Sequence, residues 1–502
     1  MLLMLLCLLP TMFLRDFTAG NELRYLSIAD ESLRTGHFFA FSNHGLAYAD
    51  KPPLYLWIVI ACRVLFGKHC MLALSLCSFI PACITIRVMD SWVCDSTDGN
   101  ISGGERMASA LMLGTTGLFL GMSIFLRMDM LMVMFIVLAL RAFTKDRPGA
   151  AGFWTFMALF TKGPVGLFMP PLCIIIWTLF KGKAWNLKRL VGFRYWLVLA
   201  LFSGLWLLGV WLDGGKEYMQ NLLVHQTVGR AVNSFHHKQP LLYYFKIVWG
   251  VIAPYTFLTV PALVVSLMDR KGRKDTENLF GWTVLVTFIM LCCFSSKLAI
   301  YLAPIFPFLT YIVPLLLVRK GWQGWMHWGL IIPSILYILI GAAVIVASAC
   351  FDNIPLLQDY GFIKCWNCIA AGSLMVLGGL LALLSANKSF AFPTTMLAST
   401  LLLAVFCGSL KMEQINDYVG YGNICKEVPA KVPVYTINAF RPENMDVYLG
   451  RDVNIIDTRH GGWLEQIPGE AAIITPKKYK SSVLTGRRTV SRGDYTLWLP
   501  RK

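Results

Sequence analysis

Long apolar runs separated by short loops constrain the fold of this chain more than any other feature. They extend from the first residue to about residue 410 of 502, and 56% of all residues are hydrophobic. A helix of ~20 apolar residues can span a bilayer, because it satisfies its own backbone hydrogen bonds where there is no water. The pattern therefore predicts an α-helical polytopic membrane protein with a polar C-terminal tail.

About 13 of these runs are candidate transmembrane helices. They cover residues 1–14, 70–89, 107–126, 129–143, 150–161, 164–180, 193–212, 241–267, 279–295, 298–318, 327–350, 368–385 and 390–410. The first run has neither a basic segment before it nor a small-residue cleavage site after it. We therefore expect it to be an uncleaved anchor rather than a signal peptide.

The basic loops predict which helix ends face the cytoplasm. Lys and Arg are enriched in cytoplasmic loops, and an N-terminus inside the cell places every strongly basic loop there. These loops are 144–149, 181–189, 269–274 and 319–320. Counting the further apolar stretch 54–66 as a span would put all of them outside. We therefore expect that stretch to be a juxtamembrane helix at the outer surface.

The net charge of +17 does not indicate a nucleic-acid partner. The Lys and Arg residues lie mainly in short loops between apolar runs, which is the distribution that membrane topology alone produces. We therefore expect membrane lipids and lipid-linked molecules, and no nucleic acid, among the partners.

The tail is predicted to be a separate domain. The segments "VPVYTI", "VNIID", "AAIIT" and "YTLWL" are typical of strands, and "RPENMDVYL" is typical of a helix. The sequence thus divides into a transmembrane domain, residues 1–411, and a small outer α/β domain, residues 412–502. Residues 15–69 form a long first outer loop that is rich in charge, and long ordered loops are often functional.

Charged side chains cluster on the predicted outer side. The first loop carries "GNELRY" and "YADKPP", a later helix boundary carries "LRMDM", and further outer ends carry "TKGP", "HHKQP" and "SSK". Charges at membrane depth are costly unless they are paired or functional. Several cations on one face fit the phosphate of a lipid, since Lys supplies charge and Arg a matching fork.

Each charged residue also has an ordinary interpretation. A single interfacial Lys or Arg commonly snorkels or follows topology, and Asp129 has a neighbouring cation, Arg127, with which to pair. Tyr25 and Tyr301 are also typical of an aromatic belt. Two successive histidines seldom both bind one metal ion, so "HH" is weak as a metal signal.

Taken together, the motifs resemble a known family. "NELRY", "GHFFAFSNHGLAYADKPPLYLW", "RMDM", "LFTKGPVG", "HHKQPLLYYF", "SSKLAIYLAPIFP" and "VYTINAFRPENMDVYLGRDV" occur in this order along nearly the whole chain. The set is similar to the lipid A aminoarabinose transferases and the protein mannosyltransferase-like GT-C glycosyltransferases. The resemblance implies a GT-C enzyme of the bacterial inner membrane, with its active site and C-terminal domain in the periplasm. Its donor would be a sugar on undecaprenyl phosphate, and its acceptor lipid A or another periplasmic molecule.

The resemblance also implies roles for individual residues. The candidate catalytic residues are Asp129, Glu22 and Asn21. The candidates for binding the donor phosphate are Lys51, Arg24, Tyr25, Lys297, Tyr301 and Lys162. In some relatives the acid before Lys-Pro-Pro and the His before Gln-Pro hold a metal ion. Here these positions are Asp50 and His237, which makes a divalent ion the one candidate cofactor.

One position departs from the family. The first acid of its Asp-Glu pair, usually assigned as the catalytic base, is Asn21 here. An amide does not accept a proton at neutral pH, and a positioned base typically contributes about 10²–10⁴-fold to the rate. A phosphate monoester, with a second pKa of about 6, is already largely ionised. We therefore favour transfer of an aminoarabinose-like sugar to a lipid A phosphate.

Three alternatives remain at this point. The acceptor could be a hydroxyl of a protein or another glycan, with Glu22, Asp50 or Asp129 as the base. A transporter or flippase for lipid-linked sugars would also need many spans, but it predicts midplane charges and a repeat. A non-catalytic lipid-binding protein is the third alternative, since the usual first acid is absent.

Overall fold

The chain folds into a helical bundle followed by a small sheet domain. The computed structural model describes residues 1–182, 186–223, 238–269, 271–458, 467–479, 484 and 486–500. The bundle comprises helices α1 (Leu2–Leu14), α2 (Asn21–Thr35), α3 (Leu54–Phe66), α4 (Met71–Ser96), α5 (Gly103–Gly114), α6 (Gly117–Ile124), α7 (Asp129–Thr144), α8 (Pro148–Lys162), α9 (Pro164–Phe180), α10 (Leu187–Leu190), α11 (Phe193–Gln220), α12 (Tyr243–Val251), α13 (Thr256–Met268), α14 (Asp275–Cys293), the 3₁₀ segment Ala299–Ile305, α15 (Phe306–Lys320), α16 (Gly324–Ala349), α17 (Trp366–Ser385) and α18 (Ala391–Ser409). The predicted helical membrane fold with a C-terminal sheet domain is confirmed.

The apolar runs coincide with helices, but several of these helices are short or broken. Within the described residues, seven helical segments are long and apolar enough to cross a membrane. The pair α5 and α6 makes an eighth if it counts as one span bent by 70°. The predicted helix over 54–66 is present as α3 and is one of the shorter apolar helices. The count of 13 spans stays a prediction.

Two helix breaks lie against each other inside the bundle. The backbone N–H of Gly117, between α5 and α6, donates to the carbonyl of Ala253, between α12 and α13, at 2.8 Å. The hydroxyls of Thr115 and Tyr255 are 2.9 Å apart. Backbone groups freed inside an apolar bundle need such partners. Each break therefore satisfies the other, which the apolar pattern of either run alone does not reveal.

The most buried segment is Ala299–Lys320, at the centre of the bundle. Around it, the rings of Trp92 and Phe280 lie 5.0 Å apart, and those of Phe280 and Phe308 lie 5.4 Å apart. Such edge-to-face pairs add packing energy beyond area burial. The central 3₁₀ segment and α15 thus provide a fixed frame for the residues just before them, which include Lys297.

The sheet domain follows the short helices Met412–Val419 (α19) and Gly422–Lys426 (α20). Its strands are β3 (Val434–Ile437), β4 (Asn454–Ile456), β5 (Ala472–Pro476), β6 (Thr489–Arg492) and β7 (Tyr495–Trp498), in the order β4-β3-β5-β7-β6. β3 is parallel to β4 and β5, and β7 is antiparallel to β5 and β6. The first loop contributes a separate hairpin, β1 (Ser42–Asn43) with β2 (Leu46–Ala47).

The four strands predicted in the tail are all present. The predicted helix "RPENMDVYL" is a 3₁₀ turn, Pro442–Met445, followed by a short helix α21, Asp446–Leu449. Strand β6 was not predicted, because its sequence alternates weakly and both neighbours are charged or polar. The boundary between residues 411 and 412 stays a prediction.

The sheet domain is docked on the start of the first loop. The carboxylate of Asp16 accepts the backbone N–H of Gly422 at 2.7 Å and the hydroxyl of Tyr448. The backbone N–H of Asp16 in turn donates to the side chain of Asn416 at 2.8 Å. These contacts place the domain beside α2. We call this end of the bundle, with residues 15–69, the loop end.

The contact between α16 and α17 depends on small residues. A Cβ atom on Gly372 would lie 2.6 Å from the carbonyl oxygen of Gly341, and one on Gly341 would lie 2.5 Å from that of Gly372. Real Cβ atoms do not approach a backbone oxygen this closely. The two helices therefore pack through glycine, as is common for helices in membranes.

We expect Gly372→Ala to lower the Tm of the protein in detergent, because overpacking costs about 1–3 kcal/mol. Gly408→Ala in α18 is the matched control, since nothing lies within 4 Å of its Cβ position. Alanine favours helix over glycine, so the control should keep or raise the Tm. Equal shifts in the two variants would contradict the close approach of α16 and α17.

Candidate functional site

Three of the predicted residues lie on one face of α2. Asn21, Arg24 and Tyr25 are spaced i, i+3 and i+4, which places them on one side of a helix. The Arg24 guanidinium donates to the side-chain oxygen of Asn21 and lies 5.7 Å from the ring centre of Tyr48. Its Nε is buried and has no hydrogen-bond partner among the described residues. Arg24 is thus partnered by a neutral amide, not by a carboxylate.

Glu22 points away from this face into a buried ion pair. Its carboxylate oxygens lie 2.6 and 2.8 Å from the guanidinium nitrogens of Arg15. They also accept the backbone N–H of Thr18 at 2.7 Å and of Leu126 at 2.6 Å. The two charged side chains are 3% and 2% exposed. Through these four hydrogen bonds, Glu22 anchors the start of α2 to the segment before α7. Its catalytic role stays a prediction.

Asp129 lies between two cations at the start of α7. Its carboxylate is 3.2 Å from Nε of Arg127 and also pairs with the ammonium group of Lys162, the last residue of α8. That ammonium group lies 4.9 Å from the ring centre of Tyr301. Asp129 is 1% exposed. Both of its oxygens are engaged, so in this arrangement it positions Arg127 and Lys162.

Tyr25 is surrounded by the cations of the site. Its ring lies edge-on to the buried ring of Tyr55, with centroids 5.7 Å apart. Burial raises the pKa of the Tyr25 phenol, whereas the charges of Lys51, Arg127 and Arg24 oppose this rise. A charge acts in this way only from nearby. Tyr25 therefore lies near cations from three different segments, and the nearby Asp129 has the opposite effect on its pKa.

The motif "YADKPP" contributes a second acid–base pair. Nζ of Lys51 lies 3.4 Å from the Asp50 carboxylate, which also accepts the hydroxyl of Tyr48 at 3.3 Å. The loop is held from outside by Tyr218 of α11, whose hydroxyl donates to the Tyr48 carbonyl at 2.7 Å. Lys51 thus lies just before α3, in an ion pair with Asp50.

Lys297 is buried without a carboxylate partner in the described part of the chain. Its ammonium group donates to the carbonyls of Phe294 at 2.5 Å and of Gln239 at 3.2 Å, and the residue is 3% exposed. It joins the site through Tyr301, which follows in the central 3₁₀ segment and contacts Lys162. Sequence motifs therefore predicted a set of residues that largely lies together.

The structure describes one of the two residues predicted to bind a metal ion. Asp50 is paired with Lys51, and His237 lies outside the described residues. Over the ranges given above for the fold, no three His, Cys, Asp or Glu side chains form a group able to hold a metal ion. Metal binding at Asp50 and His237 stays a prediction.

An apolar groove leads to the site between α9 and α14. It has a volume of about 590 Å³ and is lined by Leu172, Ile176, Phe180, Trp282, Leu285, Val286, Ile289, Met290, Cys293 and Phe294. From Trp282 to Phe294 it follows roughly 18 Å of helix. It ends at Phe294, whose carbonyl accepts the ammonium group of Lys297. A long apolar slot thus terminates at a buried cation.

Sequence reasoning missed two residues near this site, Arg15 and Arg441. Arg15 forms the buried pair with Glu22. Arg441 comes from the sheet domain, and its pKa is lowered by burial and by the charge of Arg24. The segment "AFRPENMD" carries the only signal for it, as part of the motif set that resembles the family.

Comparisons with known proteins identify relatives and the fold. No protein-family model matches the chain. An uncharacterised protein of Aquifex aeolicus is 24% identical over 329 residues, which cover 61% of this chain and 62% of that protein. The undecaprenyl phosphate-alpha-4-amino-4-deoxy-L-arabinose arabinosyl transferase of Pseudomonas savastanoi pv. phaseolicola is 25% identical over 299 residues, 57% of this chain and 54% of the enzyme. The match thus spans a little over half the length of these curated relatives.

A solved structure matches almost the entire chain. ArnT from Cupriavidus metallidurans, in its complex with undecaprenyl phosphate, superposes with a TM-score of 0.74 at 16% identity, covering 99% of this chain and 97% of ArnT. This agreement shows a common fold. The resemblance predicted from the motifs is therefore confirmed: the chain is a relative of the undecaprenyl phosphate-aminoarabinose arabinosyl transferases and has the fold of ArnT.

Proposed function

We propose that this protein is a glycosyltransferase that moves an aminoarabinose-like sugar from undecaprenyl phosphate to a phosphate of lipid A, at the periplasmic face of the inner membrane. The observation that carries the proposal is the set of cations at the loop end of the bundle: Arg24 on α2, Lys51 just before α3, and Arg127 and Lys162 on either side of Asp129. Such a cluster suits the phosphate of a lipid-linked donor. The names of the curated relatives support the same donor class and sugar.

The apolar groove provides the place for the prenyl chain. The groove follows roughly 18 Å of α14 and ends at Phe294, whose carbonyl accepts Lys297, so a prenyl chain lying there would bring its phosphate to this cation. Lys162 and Lys51 lie at the same end of the bundle. A donor with an apolar tail and a charged head would thus match both halves of this surface.

The chemistry is a displacement at the anomeric carbon of the sugar. An acceptor oxygen forms the new bond to this carbon, while the bond to the donor phosphate breaks and its electron pair leaves with undecaprenyl phosphate. Negative charge therefore grows on the leaving phosphate. Lys51 and Arg24 are placed to stabilise it, and fixed charges in a partly dehydrated site stabilise a transition state strongly.

The acidic side chains of the site are already paired with cations, which favours an acceptor that is already ionised. Glu22 is held by Arg15, Asp129 by Arg127 and Lys162, and Asp50 by Lys51 and the Tyr48 hydroxyl. Asn21 is an amide bonded to Arg24. A hydroxyl acceptor would need one of these groups to take its proton. A phosphate monoester, with a second pKa of about 6, needs no base at neutral pH.

The proposal can be tested with purified protein in lipid nanodiscs. Undecaprenyl phosphate carrying aminoarabinose would be mixed with lipid A, with dephosphorylated lipid A, or with no acceptor. Release of undecaprenyl phosphate and the mass of lipid A report donor and acceptor separately. We expect turnover only with phosphorylated lipid A. Equal turnover with the dephosphorylated form would show that a hydroxyl is the acceptor.

Replacing Lys51 by Met should lower kcat by about 10²–10³-fold, the usual cost of losing one group that stabilises transition-state charge. Lys68→Met is the matched control, because Lys68 is an exposed lysine that follows α3. Release of undecaprenyl phosphate is the measurement, together with the Tm of each variant. A Lys51→Met protein that folds normally and keeps full turnover would sink the proposed role of this residue.

Replacing Asn21 by Asp tests whether a base is missing. The new carboxylate would face Arg24 and neutralise it, and the added charge would oppose a phosphate. We expect turnover on lipid A to fall roughly 10- to 100-fold, since charges at such distances interact by about 1–4 kcal/mol. Asn21→Ala should retain more activity than Asn21→Asp. Higher turnover for Asn21→Asp than for wild type would instead mean that the reaction needs the base.

A further inference from the structure

The sheet domain holds one arginine in an uncommon backbone conformation. Arg441 has φ 50° and ψ 54°, the left-handed region that non-glycine residues seldom adopt. The segment is fixed on both sides. The Tyr421 hydroxyl donates to the carbonyl of Phe440, and Pro442 begins the 3₁₀ turn that follows. Such a conformation persists only where its surroundings impose it, and it is common at ligand-contacting positions.

The same segment is docked against α2 at two points. A Cβ atom on Gly20, the residue before α2, would lie 3.6 Å from the Phe440 ring. Further along α2, the Ser27 hydroxyl donates to the Asp446 carboxylate at 2.9 Å. Arg441 follows Phe440 directly, and its guanidinium lies 5.5 Å from that ring centre. Arg441 therefore lies at the N-terminal end of α2, close to Asn21 and Arg24.

Arg441 and Arg24 are two cations without a carboxylate partner. Within the described ranges, the guanidinium group of Arg441 has no hydrogen bond or ion pair, and that of Arg24 bonds only the neutral amide of Asn21. Burial and the charge of Arg24 lower the pKa of Arg441, while the nearby Glu443 offsets this in part. Two neighbouring guanidinium groups repel each other unless an anion compensates their charge. The contacts of Phe440 with Gly20 and of Asp446 with Ser27 place both groups at the same part of α2, where an anionic ligand group would be their common partner.

We propose that Arg441 and Arg24 together bind the phosphate group of the acceptor. This inference rests on the proposed function and adds the residue by which the sheet domain recognises its substrate. Two arginine forks suit a phosphate monoester better than a hydroxyl or a sugar, because guanidinium matches phosphate oxygens in pairs. The Arg24 guanidinium has enough N–H groups to contact the phosphates of both substrates. Lys51 and Arg127, nearer the helix ends, remain for the phosphate of the donor.

The donor also carries a phosphate that could bind these arginines, so the test distinguishes the donor phosphate from the acceptor phosphate. Arg441→Gln and Arg441→Lys would be assayed in nanodiscs for the KM of lipid A and for the affinity of undecaprenyl phosphate alone, measured as a ligand-induced rise in Tm. Arg488→Gln is the matched control, since Arg488 is an exposed arginine of the same domain beside β6. The Tm without ligand shows whether each variant folds.

For Arg441→Gln we expect the KM of lipid A to rise about 10- to 100-fold, the usual range for a lost charge-assisted hydrogen bond to an anion. The affinity for undecaprenyl phosphate should stay within about twofold of wild type. The KM of lipid A for Arg441→Lys should lie between those of wild type and Arg441→Gln. An unchanged KM for lipid A, or an equal loss of undecaprenyl phosphate affinity, would overturn the assignment to the acceptor.

A binding experiment separates failure of this inference from failure of the proposed function. If wild type transfers no sugar, lipid A and its dephosphorylated form would be titrated against wild type and Arg441→Gln without any donor. Preference of wild type for the phosphorylated form, lost in Arg441→Gln, would support the phosphate site even then. Equal affinity of wild type for both forms would overturn it.

Discussion

The buried pair of Arg15 and Glu22 is the constraint on which the site depends. Arg15 ends the first apolar run and Glu22 begins α2, and neither side chain reaches solvent to any extent. A charge buried at this depth is stable only when its partner is present and its remaining hydrogen bonds are satisfied. Here two backbone N–H groups, one from before α2 and one from before α7, complete the hydrogen bonds of the Glu22 carboxylate, whereas Nε of Arg15 is buried without a partner among the described residues. The pair therefore fixes the position of α2 on the bundle and its rotation about its own axis. With Glu22 facing inward, the face with Asn21, Arg24 and Tyr25 turns toward the cations of the other segments.

The two ends of the bundle treat positive charge differently. At the opposite end, Arg319 pairs with Glu277 at 2.8 Å, Arg106 with Asp90 at 2.6 Å and Lys274 with Asp98 at 2.7 Å. At the loop end, Lys51, Arg127 and Lys162 are paired with acids, whereas the side chains of Arg24, Lys297 and Arg441 form no ion pair with a carboxylate in the described part of the chain. Exposed positive charge needs no such partner, because it can remain in water. Lys297 is buried and the two arginines are half-buried, and in the proposed function an anionic ligand supplies the partner that they lack.

The sequence predicted much of this arrangement, and the rest depends on contacts between distant residues. The strands of the sheet domain could be predicted because each alternates in hydropathy and is bounded by turn residues. Helix α3 was predicted from its apolar run, and its place outside the spans, inferred from the basic loops, stays a prediction. Motif order supplied most of the candidate residues of the site. Yet Glu22 is oriented by its ion pair with Arg15, which precedes α2. Arg441 is positioned by contacts of its segment with α2, which lies some four hundred residues earlier in the chain. The bend between α5 and α6 likewise depends on Ala253 and Tyr255.

The amide at position 21 and the arginine at position 441 have one explanation in common. A carboxylate at position 21 would pair with Arg24 and cancel its charge, leaving Arg441 as the one unpartnered guanidinium at the N-terminal end of α2 among the described residues. With Asn21 in place, both guanidinium groups keep their full charge. An acceptor that must lose a proton requires the carboxylate, whereas an acceptor that already carries negative charge requires the cations. A chain with an amide at position 21 and an arginine without an ion-pair partner at the same helix end is therefore suited to the second kind of acceptor. In the proposed function, the amide at position 21 thus accounts both for the ionised nucleophile and for the cations that bind it.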